Sequence, residues 1–361
     1  MKKIIVTVTN DLSTDQRVDK VCSSLQKKGF DVILIGRKLK KSIPINRDYK
    51  TKRIKLMFNK GFLFFAEFNF RLFFLLFFSK KDILLSNDLD TLLPNYLVSF
   101  LQRKKLVYDS HELFSEVPEL VYKPFVKKIW VCLESWILPK LKNTYTVCHS
   151  IANFYNTKYN SNFKTILNLP FKRDLFPGSF PFKTEGRKII LYQGAINIGR
   201  GLELMIDTIK YIENSILVVI GDGDIYEDLV KEVNRKNLND KIYFLGKISP
   251  IELHKLTPLA DLGISVEEDL GLNYRFALPN KIFDYIQAEV PILVSNLQEM
   301  KQIVLKHNVG EIIKERKPKQ LAKQIEELLK KDFSNELKKA KEILIWENQE
   351  EKLLYIFRNC E

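Results

Sequence analysis

The sequence predicts an α/β fold with two doubly wound parallel sheets. Short apolar stretches of strand character alternate with segments of helical periodicity, which is typical of parallel sheets covered by helices. The 361 residues suffice for two domains with separate cores. At residues 169–186 prolines and glycines occur without periodicity, which predicts a linker. We therefore expect an N-terminal domain over 1–168, a second domain over 187–340 and a closing helix over 341–361.

The first domain opens with a predicted strand that contains Ile4, Val6 and Val8. Thr14 and Asp15 are expected to cap the helix that follows. No GxGxxG motif lies between this strand and helix, which argues against a dinucleotide-binding dehydrogenase. The N-terminal apolar stretch alternates with threonine and ends too soon for a signal peptide, so it is predicted to be a strand.

A phenylalanine-rich segment, Phe62 to Phe78, carries nine phenylalanines in seventeen residues. It is shorter than the roughly 20 apolar residues that span a bilayer, and Glu67, Asn69 and Arg71 interrupt it. One interpretation is a helix buried against the sheet. The other is a helix partly in a membrane interface, flanked by Lys80 and Lys81.

Two predicted strands of the first domain end in polar residues. One ends in Asn87-Asp88-Leu89-Asp90, where an Asp-x-Asp pair would suit a metal-dependent transferase. Asp90 also stands where a helix N-cap is expected, and we favour that interpretation. The next strand ends in Asp109-Ser110-His111-Glu112. Polar groups at strand ends face the usual ligand crevice of such sheets, so His111 is a candidate functional residue, with Asp109 or Glu112 fixing its tautomer.

In the second domain, the stretch from Ser265 to Ser295 has the order strand, polar loop, helix, strand. Pro279 is expected as the first residue of the helix. A helix N-terminus presents unpaired N–H groups and partial positive charge, which suits a phosphate. Lys281, in the first turn, would work against the helix dipole unless an anion lies nearby.

The formal net charge of +14 resides in the first half, where residues 1–168 hold 29 Lys+Arg against 14 Asp+Glu. Such a surplus favours an anionic partner: a membrane surface, which we predict, a nucleic acid or a phosphorylated acceptor. A generally basic proteome would give the same surplus. A nucleic acid is disfavoured because the basic residues are dispersed and the aromatic residues are apolar phenylalanines. The four cysteines form no CxxC pair and are predicted to be reduced and buried, as in a cytoplasmic protein.

The segment from Ala277 to Tyr285, ALPNKIFDY, resembles the nucleotide-sugar helix of retaining glycosyltransferases of family 4 (glycosyl transferases group 1). This resemblance implies the GT-B fold, in which two Rossmann-like domains face a cleft and the closing helix crosses back to the first domain. Two positions depart from the family pattern: Phe276 replaces the first of two spaced glutamates, and Ala195 replaces an arginine. Glu267, or its acidic neighbours Glu268 and Asp269, are expected to substitute for the missing glutamate.

The resemblance also implies roles for individual residues. Arg200, between Gly199 and Gly201, and Lys281 would hold the diphosphate, and His111 would reach the donor sugar. The expected donor-binding residues are Gly199, Gly221, Lys247, Asn280, Asp284 and Glu267, with Lys247 near the base and Asp284 on the ribose. Arg17, Asp15 and Glu112 are expected on the acceptor or phosphate side.

The function that the resemblance implies is a metal-independent, retaining hexosyltransferase of the bacterial surface-polysaccharide type. It would move a sugar from a UDP- or GDP-sugar to a lipid-linked or saccharide acceptor, without a cofactor. Such an enzyme would be cytoplasmic and peripheral at the inner face of the membrane. Two alternatives remain open: a nucleotide-sugar epimerase on the same fold, and a non-catalytic nucleotide-sugar-binding subunit.

Overall fold

A computed structural model describes residues 1–13, 15–117, 120 and 123–360. The chain divides into two compact units. Unit 1 comprises residues 1–168 and 349–361, and unit 2 comprises residues 169–348. In both units the described strands pair in parallel, so the predicted pair of parallel sheets is confirmed.

Unit 1 contains a seven-stranded sheet in the order β3-β2-β1-β4-β5-β6-β7. Its strands are β1 Lys3–Thr7, β2 Asp31–Lys38, β3 Lys50–Lys55, β4 Ile83–Asn87, β5 Lys105–Ser110, β6 Asn143–Thr146 and β7 Phe163–Thr165. Its helices are α1 Gln16–Lys27, α2 Gly61–Phe78, α3 Leu89–Gln102, α4 Pro124–Ile137 and α5 His149–Tyr159. The central strands are buried on both faces, as parallel strands between helix layers must be.

Unit 2 contains a six-stranded sheet in the order β10-β9-β8-β11-β12-β13. Its strands are β8 Lys188–Gln193, β9 Ser215–Ile220, β10 Ile242–Gly246, β11 Leu262–Ser265, β12 Ile292–Val294 and β13 Gly310–Ile312. Its helices are α6 Leu202–Ile209, α7 Tyr226–Arg235, α8 Pro250–Leu256, α9 Leu272–Arg275, α10 Asn280–Gln287, α11 Gln298–His307, α12 Pro318–Leu328 and α13 Ser334–Ile343. The last helix, α14 Glu347–Arg358, begins in unit 2 and continues into the C-terminal segment of unit 1.

Three local predictions about caps are tested by the structure. Asp15 caps α1, because its carboxylate accepts a hydrogen bond from the backbone N–H of Val18, whereas Thr14 lies outside the described residues. Asp90 is not an N-cap: that position belongs to Asp88, and Asp90 lies in the first turn of α3. Pro279 is itself the residue before α10, so the helix begins one residue later than predicted.

The structure bears on two expectations about burial. The phenylalanine-rich helix α2 buries only one stripe of side chains, at Phe64, Phe68, Leu72 and Leu76, so the interpretation as a fully buried helix, one of the two left open, does not hold. All four cysteines are free, as predicted, but only Cys22 and Cys148 are buried: Cys132 on α4 is exposed and Cys360 is half-buried. Both interpretations of this segment expect a helix, which α2 is, but a helix that is apolar all round has no periodicity that would identify its solvent-facing side.

Candidate functional site

The candidate site of unit 2 lies at the carboxyl ends of β8 and β11, where the strand order reverses. This reversal is the usual ligand position in a doubly wound sheet. The loops that leave the strands are tied together by hydrogen bonds. The N–H of Glu268 donates to the carbonyl of Gly199 at 2.8 Å, and the N–H of Asp224 donates to Oδ1 of Asn197 at 3.1 Å. The Tyr274 hydroxyl donates to the carbonyl of Ile198 at 2.9 Å.

Two glycines permit this close approach of backbones. Gly201 has φ of 74°, and a Cβ there would collide with the carbonyl of Val266. Gly221 has φ of 147°, and a Cβ there would collide with the carbonyl of Gly194. Because both positions combine a positive φ with a backbone neighbour, they require glycine. The close approach at these two turns is between loops of the protein itself.

The centre of the site is a buried carboxylate with two cations. Oε1 of Glu267 lies 2.9 Å from Nζ of Lys281 and 3.6 Å from Nη1 of Arg200. Glu267 is fully buried, and the Lys281 side chain is 8% exposed. The other carboxylate oxygen accepts a hydrogen bond from the Ser265 hydroxyl at 2.8 Å. The Lys281 ammonium also lies 3.8 Å from the centre of the Tyr192 ring, a cation–π distance.

Charge keeps Glu267 ionised in this buried position. Burial alone would raise the pKa of its carboxyl group, but the ammonium of Lys281 and the guanidinium of Arg200 outweigh burial, and the pKa lies below its ordinary value. The Lys281 ammonium has three N–H groups and contacts one carboxylate oxygen, and Nε of Arg200 has no hydrogen-bond partner among the described residues. Two cationic groups with unused donors therefore converge here, which suits an anionic ligand.

Arg316 supports this loop and was missed by the sequence reasoning. Its guanidinium donates to the carbonyl groups of Val266 and Glu267, at 3.0 and 3.2 Å, and to the Ser295 hydroxyl at 2.9 Å. The Ser295 hydroxyl in turn donates to the Glu267 carbonyl at 2.6 Å. No motif surrounds Arg316 in the sequence, because its partners lie 21 to 50 residues away.

The remaining predicted donor-binding residues occupy the margin of the site. Asp284, on α10, is 3.4 Å from Nη2 of Arg173. Lys247 and Asn280 are exposed. Glu268 and Asp269 form surface ion pairs with Arg316 and Arg275. Of the three acidic residues predicted to substitute for the missing glutamate, only Glu267 is buried against both cations.

Unit 1 has its own polar cluster, where its strand order reverses between β1 and β4. Nδ1 of His111 lies 3.2 Å from Oδ2 of Asp88, and Nε2 lies 3.2 Å from Oδ2 of Asp109. Arg17 is 4% exposed and donates two hydrogen bonds to Asp109, both at 2.9 Å, and one to the carbonyl of Ile166. Arg17 thus holds the carboxylate that contacts His111.

The charges in this cluster are coupled. Burial lowers the pKa of His111, but Asp88 and Asp109 raise it more, to about 10. Burial raises the pKa of Asp88 to about 7 despite the nearby imidazolium. Asp88 also has φ of 58°, an uncommon conformation for a residue with a side chain, and its carboxylate accepts a 2.8 Å bond from the N–H of His111. Asp109, which the sequence suggested, and Asp88, which it did not, both fix the ring.

The other predicted acceptor-side residues have local contacts. Oδ2 of Asp15 accepts a hydrogen bond from Asn10 at 2.6 Å. The carbonyl of Glu112 accepts a 2.8 Å hydrogen bond from Ser110. Burial raises the pKa of Asp90 to about 6, although its carboxylate accepts a 2.6 Å bond from the Thr9 hydroxyl. Within the described ranges, no three His, Cys, Asp or Glu side chains are arranged to hold a metal ion.

Part of the chain matches a known protein family. Residues 179–343, which lie within unit 2, match the family model of glycosyl transferases group 1. A search among curated proteins finds no match to the chain by sequence.

Solved structures of similar fold cover nearly the whole chain. Sucrose-phosphate synthase from Thermosynechococcus elongatus matches with a TM-score of 0.79 and 15% identity, over 99% of this chain and 98% of its own. Anabaena HepE in complex with UDP-glucose matches with a TM-score of 0.74 and 13% identity, over 99% and 100%. WaaG, a glycosyltransferase involved in lipopolysaccharide biosynthesis, matches with a TM-score of 0.67 and 12% identity, over 98% and 99%. The protein therefore has the GT-B fold, and residues 179–343 of its second unit are similar to group 1 glycosyltransferases.

Proposed function

We propose that the protein transfers a sugar from a UDP- or GDP-sugar to a saccharide acceptor. The observation that carries this proposal is the convergence of Lys281 and Arg200 on one buried carboxylate, at the strand reversal of unit 2. The complex of a similar fold with UDP-glucose supports a nucleotide-sugar donor.

In this proposal the two cations stabilise the departing diphosphate. The leaving group gains negative charge in the transition state, and fixed positive groups at that position lower the barrier. Lys281 lies in the first turn of α10, so its ammonium acts together with the partial positive charge of the helix N-terminus. Glu267 holds the ammonium in place from the buried side. Since protein groups supply this positive charge, we propose that transfer requires no metal ion and no cofactor.

Unit 1 is proposed to serve the acceptor. A pKa of about 10 keeps His111 protonated at neutral pH, so the ring would act as a fixed cation and hydrogen-bond donor and not as a base. The Arg17–Asp109 pair sets the orientation of the ring. Similarity to the family suggests retention at the anomeric carbon. The lipopolysaccharide role of WaaG supports a lipid-linked acceptor, which would bring this chain to the inner face of the cytoplasmic membrane.

The donor proposal is tested by thermal shift with UDP, GDP and uridine. A ligand at 100 times its Kd stabilises the folded state by about 2.7 kcal/mol. We expect UDP or GDP to raise the Tm and uridine, which lacks phosphate, to have little effect. Arg200→Ala and Lys281→Ala should each lose the shift, whereas Lys231→Ala, which removes an exposed lysine of the same unit, should retain it. Unchanged shifts in both site variants would rule out the diphosphate site.

Turnover distinguishes transfer from the two alternatives. A panel of UDP- and GDP-sugars is incubated with and without saccharide acceptors, in the presence of EDTA. Release of nucleoside diphosphate that depends on an acceptor supports a metal-independent transferase, and NMR of the product reports the anomeric configuration. Conversion of the sugar nucleotide without an acceptor would indicate an epimerase. Binding without turnover across the panel would indicate a non-catalytic subunit.

A further inference from the structure

The outer side of α2 is an uncovered row of aromatic rings. The buried residues Phe64, Phe68, Leu72 and Leu76 recur every four positions and form the inner side. Phe70, Phe74 and Phe78 lie two positions further on, which places them about 200° around the helix, on the opposite side. All three are exposed, Phe78 by 79%. Their rings follow one another at 4.9 and 6.5 Å between centroids.

The same side of unit 1 continues onto α4. The chain moves in one direction along the sheet from β3 to β7, and right-handed crossovers place α2, α3 and α4 on a single face of it. Phe65 of α2 and Trp130 of α4 are in edge contact at 5.3 Å. On α4, Phe125, Ile129 and Trp136 are exposed, Phe125 by 75%. We name Phe70, Phe74, Phe78, Phe125, Ile129 and Trp136 the aromatic face.

On the three helices of this side, the exposed charges are cations. The acidic side chains on α2, α3 and α4 are Glu67, Asp90 and Glu134, and each is at most 9% exposed. Exposed cations instead stand at the helix ends and on α4: Lys80, Arg103, Lys123 and Lys128. An apolar surface whose helices expose cations and bury their carboxylates complements an anionic lipid headgroup region, with the rings at the level of the acyl boundary.

We infer that the aromatic face binds the interface of an anionic lipid bilayer, with α2 lying along the membrane surface. Within the described part of the chain, α2 is the one helix long and apolar enough to cross a membrane, by length and composition. Its inner side is nevertheless fixed in unit 1. Glu67 accepts hydrogen bonds from the N–H groups of Met57 and Phe58, and Asn69 donates to the carbonyl of Asp90 at 2.9 Å. A helix held in this way lies on the bilayer and does not span it.

This inference extends the proposal of a lipid-linked acceptor by naming the surface and the lipid charge it prefers. It rests on unit 1 alone. If it failed, the donor site of unit 2 would be unaffected, and if no nucleotide bound, the aromatic face would still be expected to bind lipid.

The test is flotation of the full chain with vesicles of phosphatidylcholine alone or with 30 mol% phosphatidylglycerol. We expect at least tenfold stronger partition into the anionic vesicles, and a decrease at high salt. The variant Phe70→Ser/Phe74→Ser/Phe78→Ser should lose at least tenfold of this partition. The control Phe176→Ser/Ile251→Ser/Leu305→Ser removes three exposed apolar side chains of unit 2 and should float like the wild type.

Two further measurements keep the outcome unambiguous. The Tm of each variant reports folding, and the nucleotide-induced shift of Tm reports the donor site; both should equal those of the wild type.

A variant of the cations tests the role of charge. Lys80→Gln/Arg103→Gln/Lys128→Gln should reduce the preference for anionic vesicles while leaving the apolar surface intact. Failure of the wild type to float would overturn the inference. So would a wild-type chain that dimerises through the aromatic face, shown by loss of the dimer in the phenylalanine variant.

Discussion

Nζ of Lys281 lies 2.9 Å from Oε1 of Glu267, and neither side chain is more than 8% exposed. A buried ion pair of this kind contributes little net stability over an apolar pair, but removal of one partner leaves the other charge without compensation. The pair therefore makes the folding of unit 2 dependent on the same groups that are proposed to meet the donor.

Replacement of Glu267 by glutamine tests this dependence. Gln preserves the size of the side chain and its bond with Ser265, but leaves the Lys281 ammonium buried without a counterion. We expect Glu267→Gln to lower the free energy of unfolding by about 3–5 kcal/mol. Glu268→Gln, one residue further on and 41% exposed, should change it by less than about 0.5 kcal/mol. Urea denaturation of both variants makes the comparison. Equal stability of the two would show that the Glu267 carboxylate is solvated.

A glycine pair separates the effect of backbone conformation from that of close approach. Gly201 and Gly186 have the same φ of 74°, but a Cβ would strike the Val266 carbonyl only at Gly201, while Gly186 faces open space. We expect Gly186→Ala to cost about 1–2 kcal/mol for the left-handed conformation alone. Gly201→Ala should lower the free energy of unfolding by more than this. It should also weaken UDP or GDP binding, because the strained contact joins the residue after Arg200 to the residue before Glu267 and would displace both side chains.

Denaturation curves and nucleotide titrations of these two variants give the result. If Gly201→Ala lost no more stability than Gly186→Ala and bound nucleotide normally, the close contact between the two loops would be refuted.

Local sequence patterns were sufficient for most of the fold. The alternation of short apolar strands with helical segments predicted both parallel sheets. The Pro279–Lys281 segment predicted that Lys281 lies in the first turn of a helix, as it does. Such signals depend on residues a few positions apart. The short strands β7 and β13, with three residues each, carry too little pattern to be recognised, and both were missed.

Contacts between distant residues were not predictable in this way. The resemblance placed Glu267 near the donor. Its role as the buried counterion of two cations was not predictable, because Arg200 and Glu267 lie on loops 67 residues apart. Arg316 and Ser295 became visible only once the strand ends were brought together. The sequence pairs Asp88 with Asp90 in an Asp-x-Asp pattern, whereas the ion-pair partner of Asp88 is His111, which follows the neighbouring strand. Which side of α2 is exposed depends on which stripe of side chains packs inward. The sequence of a helix that is apolar all round does not indicate that stripe.

The His111 cluster predicts how stability depends on pH. The pKa of His111 is raised to about 10 in the folded chain, from 6.5, so the folded state holds a proton that the unfolded state releases in this interval. Its contribution to stability is therefore complete below about pH 6.5 and is lost as the pH rises through about 10. We expect the Tm of the wild type to fall over pH 7–10, and His111→Asn to show a flatter profile at lower overall stability.

The exposed His149 of the same unit supplies the control. Its replacement by asparagine should leave the alkaline profile as steep as in the wild type. Melting curves at half-unit pH intervals distinguish the variants. A profile for His111→Asn as steep as that of the wild type would show that His111 is not held charged by Asp88 and Asp109.

The C-terminal residues offer a test of which unit they stabilise. Phe357 is fully buried, with its ring centroid 6.4 Å from that of Phe30, and the hydroxyl of Ser24 on α1 donates to Glu350 at 2.5 Å. Truncation of a buried phenylalanine costs about 3–5 kcal/mol. We expect Phe357→Ala to destabilise unit 1 by this amount, whereas Tyr355→Ala on the same helix, 59% exposed, should have little effect.

Hydrogen–deuterium exchange locates the change. In Phe357→Ala, amide protection should fall in residues 1–168, because local stability depends on the packing around each segment. Peptides from residues 169–348 should exchange as in the wild type, since the helix beyond residue 348 belongs to unit 1. Loss of protection confined to 169–348 would place the C-terminal helix in the core of unit 2 instead.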